Sequence, residues 1–354
     1  MHCPVIHIVK RFGHVGGMES YVWHLVHGLA RQGVQVFIVC EQAYESPGEG
    51  VRIIKVETSR ERPRWKSMMT FRARVDRKIR EVFSGQAVLI HSHERSLSHQ
   101  VTTFHGPPID PPRGFEWLSP LNRRFIAWRQ MERDELLGPK VQMVLPVSSQ
   151  VEKQLTQRYL QLGDKNIDLA WPGVQRSQFS PDVEITPDSD CVRFVFVGKE
   201  WKRKGLDIAV GIVEEFRKSY SIATLTVFGA DPALIPNSMH SFDWISFRGW
   251  SSVIPWLDFD LLLHPARDEP FGMVVAEARS HGLPVIMSSR VGARDLDFSD
   301  ARVLKLNSEI IEWCENAASL IKTRKQKPEL KWSWDDLVVK HIETIYPQIE
   351  VFVL

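Results

Sequence analysis

Two carboxylates, Glu269 and Glu277, stand eight residues apart in the stretch LLLHPARDEPFGMVVAEARSHGLPVIMS, residues 261–288, with small and apolar residues between them. Gly272 lies between the two acids, where a helix should begin. Backbone N–H groups at such a start have no intrahelical partner and carry the positive end of the helix dipole, so a phosphate fits there. Taken alone the two acids are unremarkable, since exposed carboxylates are common. Their meaning depends on what surrounds them.

The elements that must hold them are legible. Residues 261–263 are an apolar strand ending at His264-Pro265, and the loop Arg267-Asp268-Glu269-Pro270 leads into Phe271-Gly272-Met273. The helix that follows stops at Gly282-Leu283-Pro284, because glycine suits the position just past a helix and proline cannot continue one. Residues 285–287 form the next strand. This is a βαβ unit whose loop opens at the carboxyl end of a strand, where open α/β sheets bind ligands.

A second chemical cluster precedes it. A strand at 192–197 ends in Gly198-Lys199-Glu200-Trp201-Lys202-Arg203-Lys204-Gly205, four cations at the carboxyl end of a strand, before a helix from Leu206. Lysine and arginine there suit a diphosphate. A solvated basic loop has the same composition.

The first half repeats the βα alternation. A strand at 5–9 is followed by a glycine-containing loop with Gly16-Gly17 and a helix whose apolar residues Met18, Tyr21, Val22, Leu25, Val26 and Leu29 share one face. The pair Gly16-Gly17 serves equally as a tight turn or as backbone approaching a ligand. Strands at 88–91 and 101–104 end in His91-Ser92-His93 and His105-Gly106-Pro107, where loops build sites. The pair Ser148-Ser149 is placed to cap a helix over 151–159. Residues 60–80 are strongly basic with Trp65, Met68, Met69 and Phe71 interleaved, and residues 117–129 read as a second basic, aromatic amphipathic helix. Such runs suit an anionic membrane surface or are plain solvated helical faces. Nucleic acid is disfavoured, because no recognised binding module is present.

At 354 residues the chain exceeds one ordinary core and suits two domains. With 43% hydrophobic and 25% charged residues it has a globular composition, and a net charge of +2 argues against a dedicated nucleic-acid binder. Cys3, Cys40, Cys191 and Cys314 are scattered without metal-ligand spacing, which points to neither disulfides nor zinc. No run reaches the length of a membrane span and residues 1–10 do not read as a signal peptide, so a cytoplasmic location is expected. Residues 173–190, rich in Pro, Ser and Asp, read as a linker. Three D-x-D triplets, at 188–190, 258–260 and 295–297, are read as coincidence rather than as metal ligands.

The ordered set Gly16-Gly17, Thr103-Phe104-His105-Gly106, Pro172-Gly173-Val174, Phe196-Val197-Gly198-Lys199, Lys204-Gly205-Leu206-Asp207, Glu269 to Glu277, and Trp332-Ser333-Trp334-Asp335 resembles the retaining GT-B glycosyltransferases of family 4 nearly end to end. Within that family, Arg203-Lys204-Gly205 and Leu261-Leu262-Leu263-His264-Pro265-Ala266 look most like the lipopolysaccharide-core glucosyltransferases. The resemblance implies an α/β, GT-B chain of two Rossmann-like parallel-sheet domains facing a central cleft. Residues 1–172 would be the acceptor-side domain and 173–332 the nucleotide-sugar domain, with 333–354 a closing helix returning to the first.

The activity so implied is transfer of a hexose, with retention, from a nucleoside-diphosphate sugar such as a UDP-sugar to a hydroxyl of a glycolipid or polysaccharide acceptor such as lipopolysaccharide core. His105 and Glu269 would be the catalytic pair, Glu269 on sugar hydroxyls and Glu277 on the ribose, work suited to acceptor-only carboxylates. Phe271, Gly272 and Met273 would meet sugar and phosphate through the backbone. Lys199, Arg203 and Lys204 would hold the diphosphate, and Gly16 and Gly17 would contribute from the first domain. Lys199 departs from the family's usual arginine, so bidentate phosphate binding is lost there unless Arg203 supplies it. No cofactor or metal is expected, and the chain would sit peripherally on the inner face of the cell membrane. A glycoside hydrolase, a non-catalytic sugar-nucleotide-binding protein and a GT-B epimerase are the competing readings.

Overall fold

A computed structural model describes residues 3–60, 62–110, 122–174, 191–220, 222–322 and 332–354. The chain divides into two compact units, residues 1–173 with 334–354, and residues 174–333.

In the first unit seven parallel strands, β1 (Val5–Ile8), β2 (Val36–Cys40), β3 (Val51–Lys55), β4 (Ala87–Ser92), β5 (Val101–Phe104), β6 (Met143–Pro146) and β7 (Asn166–Ile167), form a sheet in the order 3-2-1-4-5-6-7. The order reverses between β1 and β4, whose His7 and His91 stand opposite each other in register. Helices α1 (Gly17–Arg31), α2 (Arg64–Val82), α3 (Arg123–Leu137) and α4 (Ser149–Arg158) make the crossovers. The apolar face expected of α1 is the buried one apart from Met18, which is half-buried, and Ser148 caps α4 by accepting from the Val151 N–H.

The basic run resolves differently from its membrane reading. Met68, Phe71, Val75 and Ile79 of α2 are buried in the core, and Trp65 packs against it. Arg72 is buried too, donating to Asp134 at 2.6 Å. The interleaved apolar residues therefore mostly face inward, leaving Met69 exposed among them. In the second run the helix begins at Arg123, with Asn122 as its cap, and Trp128 lies against the same core. Residues 117–121 of that run lie outside the described residues, as do 175–190 of the expected linker and the triplet at 188–190.

In the second unit six parallel strands, β8 (Cys191–Val197), β9 (Ile222–Phe228), β10 (Ile245–Gly249), β11 (Leu261–His264), β12 (Val285–Ser288) and β13 (Ala301–Leu304), run in the order 10-9-8-11-12-13. The reversal here falls between β8 and β11. The loop after β8 contains one helical turn, α5 (Trp201–Lys204), before α6 (Leu206–Ser219), and the loop after β11 leads into α7 (Met273–Ser280). α8 (Ile310–Ile321) packs with α6 over Phe194, Phe196, Leu225 and Trp313. Each fully buried Val, Leu, Ile or Phe contributes roughly 1.5–3 kcal/mol, which holds the helices on strands too short to stand alone.

The closing segment belongs to the first unit. α9 (Trp334–Lys340) packs on α1, continues through a π-helical turn over His341–Ile345, and ends in β14 (Phe352–Val353), antiparallel to β4. No helix among the described residues is long and apolar enough to cross a membrane.

Candidate functional site

The loops after β8 and β11 flank the reversal point of the second sheet, and they are locked to each other. Gly205 adopts φ +81°, and a Cβ there would meet the Pro265 carbonyl oxygen at 2.1 Å. Only glycine allows that approach. Arg267 donates from its backbone to the Arg203 carbonyl at 2.8 Å and pairs bidentately with Asp207 at 2.7 and 2.8 Å.

The docking delivers two cations to Glu269. Lys204 Nζ lies 2.6 Å and Arg203 Nη1 3.2 Å from its Oε2. Glu269 is itself buried, and its backbone is clamped to the loop after β12 by the Arg290 carbonyl and the Gly292 N–H. Burial alone would raise its pKa, but Lys204, His264 and Arg203 outweigh it and hold the carboxyl below the usual value. Glu269 is thus an anion fixed in place. The stem of Lys204 lies over Gly198, where a Cβ would come within 2.9 Å of it. Lys204 uses one of its three donors on Glu269 and makes no other hydrogen bond or ion pair among the described residues. Arg203 is more committed, bridging Glu200, the Asp268 carbonyl and Glu269.

Gly272 opens α7 with φ +98°, and a Cβ there would sit 3.0 Å from Val291 and 3.3 Å from Glu269. The carbonyl of the buried Phe271 accepts from the Ala293 N–H at 2.7 Å, which aims the first turn of α7. Met273 is the first helical residue. Glu277, one turn on, is exposed, and its carboxylate makes no hydrogen bond or ion pair among the described residues, though the charges of His281 and Lys204 favour its ionised form. Lys199 is exposed and takes part in none of these contacts. The structure therefore gathers Arg203, Lys204, Glu269, Phe271, Gly272 and Met273, places Glu277 on the helix they introduce, and leaves Lys199 apart.

One neighbour carried no role in the sequence reading. His264, wholly buried at the end of β11, lies 3.9 Å from Glu269, and neither ring nitrogen has a hydrogen-bond partner. A histidine closing an otherwise aliphatic strand was the available signal.

In the first unit Gly16 caps α1 with extended backbone, and a Cβ there would come within 2.5 Å of a Glu19 carboxylate oxygen, the movable end of that side chain. Gly17 is exposed as the first helical residue. His105 follows β5 and sits 3.1 Å, through Nε2, from Nδ1 of the buried His93. Burial pushes its pKa down, so the ring is neutral.

Among the described residues, the side chains close enough to share a cation are His7, His91 and His93, with ligand atoms within 4.8 Å of one another. Of the D-x-D triplets, Asp260 is occupied by Arg193 at 3.1 Å, and Asp295 lies in a 3₁₀ turn.

Residues 15–178 match the family model Glycosyltransferase Family 4, and residues 191–322 match Glycosyl transferases group 1. The chain is 23% identical over 339 residues to the D-inositol 3-phosphate glycosyltransferase of Paenarthrobacter aurescens strain TC1, covering 82% of this chain and 80% of that protein. Among solved structures it resembles WaaG, a glycosyltransferase involved in lipopolysaccharide biosynthesis, with TM-score 0.71 at 16% identity over 97% of this chain and 96% of that one. Sucrose-phosphate synthase from Thermosynechococcus elongatus gives 0.72 at 17% identity, covering 98% and 99%. HepE of Anabaena, in complex with UDP and glucose, gives 0.64 at 14% identity, covering 98% and 100%. With the two family models spanning most of its length and a doubly wound sheet in each unit, the chain belongs to the GT-B glycosyltransferases.

Proposed function

We propose that this glycosyltransferase moves a hexose from a nucleoside-diphosphate sugar, with UDP as the nucleotide, to a hydroxyl of a glycolipid or polysaccharide acceptor, retaining the anomeric configuration. The observation that carries the reading is the buried Glu269 carboxylate held by Lys204 and Arg203 beside the start of α7. A fixed anion accepts hydrogen bonds from sugar hydroxyls without rearrangement, and preorganised groups of this kind act more strongly than mobile ones. The spare donors of Lys204 and the first-turn N–H groups of α7 then receive the diphosphate. Glu277 is left free to accept from the ribose hydroxyls.

Arg203 serves the diphosphate indirectly, by holding Glu269 and the Asp268 carbonyl, and Lys199 adds a long-range positive charge. The residues fit a metal-independent reaction in which a donor phosphate oxygen takes the acceptor proton while Lys204 stabilises the departing diphosphate. From the first unit, His105 and Gly17 are assigned to the donor as well. An acceptor carried on lipopolysaccharide suits the resemblance to core glucosyltransferases. Contact with an anionic membrane would rest on exposed cations, Arg62 just before α2 and Arg64, Lys66 and Arg77 within it, rather than on apolar anchors.

The test is a screen of nucleotides and nucleotide sugars for thermal stabilisation, followed by product analysis with the stabilising donor. UDP or its hexose derivatives should raise the melting temperature and give a retained glycoside. Stabilisation by no nucleoside diphosphate overturns the reading. Salt-sensitive flotation with anionic liposomes tests the membrane contact, and its absence removes it.

A further inference from the structure

We infer that a buried hydrogen-bonded chain of histidines, closed by Tyr346 from the C-terminal segment, sets the tautomer of His105. His7, His93 and Tyr346 are then positioning residues for the reaction. The functional part of this inference rests on the transferase reading above; the chain itself stands on geometry.

The links run as follows through the reversal point of the first sheet. His105 Nε2 lies 3.1 Å from His93 Nδ1, and His93 Nε2 lies 3.0 Å from His7 Nδ1. His7 Nε2 meets the Tyr346 hydroxyl at 3.4 Å, and that hydroxyl meets His91 Nδ1 at 3.0 Å. His91 Nε2 ends the chain on Thr103 Oγ1 at 2.8 Å. β1, β4 and β5 supply His7, His91 and Thr103, the residues just past β4 and β5 supply His93 and His105, and the tail that returns after α9 supplies the tyrosine. His341 packs on His91 but stands outside the chain, because its Nδ1 is committed to the Leu337 carbonyl.

A neutral imidazole carries one N–H and one lone pair, so a ring that donates through one nitrogen must accept through the other. Burial keeps all four rings neutral. The direction of one link therefore dictates the next. Two arrangements satisfy every group. In one, His105, His93, His7 and His91 are all protonated on Nε2, with Tyr346 donating to His91 and Thr103 accepting. In the other, all four are protonated on Nδ1, Thr103 donates to His91, and Tyr346 donates to His7. A mixture among His105, His93 and His7 sets two N–H groups or two lone pairs against each other, and one in which His91 differs from His7 leaves either the Tyr346 hydroxyl proton or one ring lone pair unpaired in the interior, so its population falls by roughly tenfold or more.

The outer nitrogen of His105, Nδ1, has no partner among the described residues. In the first arrangement it offers a lone pair, suited to a hydroxyl that donates. In the second it offers an N–H, suited also to a phosphate or carbonyl oxygen, which can only accept. The interior thus decides what His105 can recognise. A shared cation at His7, His91 and His93 is the rival use of these rings. It would have to break the His7 to His93 bond, and no carboxylate is among the three ligands to offset its charge.

The experiment is long-range ¹H–¹⁵N correlation spectroscopy of the full chain labelled at histidine, which reports each ring's tautomer directly. His7, His91, His93 and His105 should share one tautomer. Tyr346→Phe should uncouple His91 from the other three and lower kcat about two- to tenfold with little change in donor KM. Thr103→Val, at the far end, should drive all four to the Nδ1–H form, because a buried N–H without a partner is the costlier defect. It serves as the second variant if Tyr346→Phe does not fold. Mixed tautomers in the unsubstituted protein, a doubly protonated ring at neutral pH, or one tightly held zinc per chain displacing these N–H signals would overturn the inference. Concordant tautomers in a protein that transfers no sugar would instead overturn the transferase reading and leave the chain intact.

Discussion

Lowering the pH should unfold the first unit before the second, and the size of the effect follows from what is buried. His7, His91, His93, His99 and His341 are all at most 3% exposed, and desolvation holds each below the ordinary value near 6.5, His7 at about 3 and His99 and His341 at about 4. A folded pKa below the unfolded one means that the unfolded chain binds the extra proton between the two values. The stability these rings contribute is therefore complete above 6.5 and is lost as the pH falls toward the folded values. Each costs on the order of 1 kcal/mol per pH unit.

Two groups act in the opposite sense. Burial raises Glu94 and Glu135 from 4.5 to about 7, so their folded forms bind protons first and gain stability as the pH falls through 7. Burial also holds His105 at about 3 and His24 at about 4, so seven losses against two gains leave a net loss of about 5 kcal/mol per pH unit between roughly pH 6.5 and 5. That is a large part of a domain's usual 5–15 kcal/mol. In the second unit His264 is the corresponding buried ring, held at about 3, so its transition should move much less. Urea unfolding at several pH values, with hydrogen exchange to assign each transition to its sheet, measures both slopes. A first-unit midpoint that stays flat from pH 7.5 to 5.5, or two units that move together, would refute the argument.

Three substitutions probe the second unit. Lys204→Ala should weaken donor binding by roughly 1.5–3 kcal/mol, the range for a charged hydrogen bond, and titration calorimetry with the nucleoside diphosphate reads it directly; unchanged affinity would remove Lys204 from the site. Gly205→Ala should destabilise this unit by more than the 1 kcal/mol typical of a helix glycine, since the new Cβ would sit 2.1 Å from backbone, and an unshifted melting temperature would show that the loops are not locked as described. Arg279 is 1% exposed and donates to Asp300 at 3.0 Å and to the Leu283 carbonyl, so Arg279→Met should cost roughly 3–5 kcal/mol by stranding the aspartate, whereas a loss under 1 kcal/mol in chemical denaturation would contradict that pairing.

Much of this molecule is local, and for that reason readable. The alternation of short apolar strands with helices, the glycines that stop them, the Ser148 cap and the βα loop from His264 to Gly272 all depend on neighbours a few residues apart. Glu269, Lys204 and Gly272 were visible for the same reason: residues at the carboxyl ends of strands converge whenever the sheet is parallel.

What the tertiary structure decided was partnership across long separations. The sequence shows cations near 204 and an acid at 269, but only the Gly205 to Pro265 contact makes them an ion pair and leaves Lys199 outside it. The basic stretch at 60–80 reads as a surface from its charges, yet Phe71 and Met68 turn inward and Arg72 is buried with Asp134, because helix rotation is set by the sheet beneath. His7, His91, His93 and His105 look like scattered strand-end residues until the sheet order sets β1 beside β4 and Tyr346 returns to join them. The sequence by itself determined the elements and the chemistry at their ends; the pairing of those ends, being a matter of contacts between groups up to 339 residues apart, belonged to the fold.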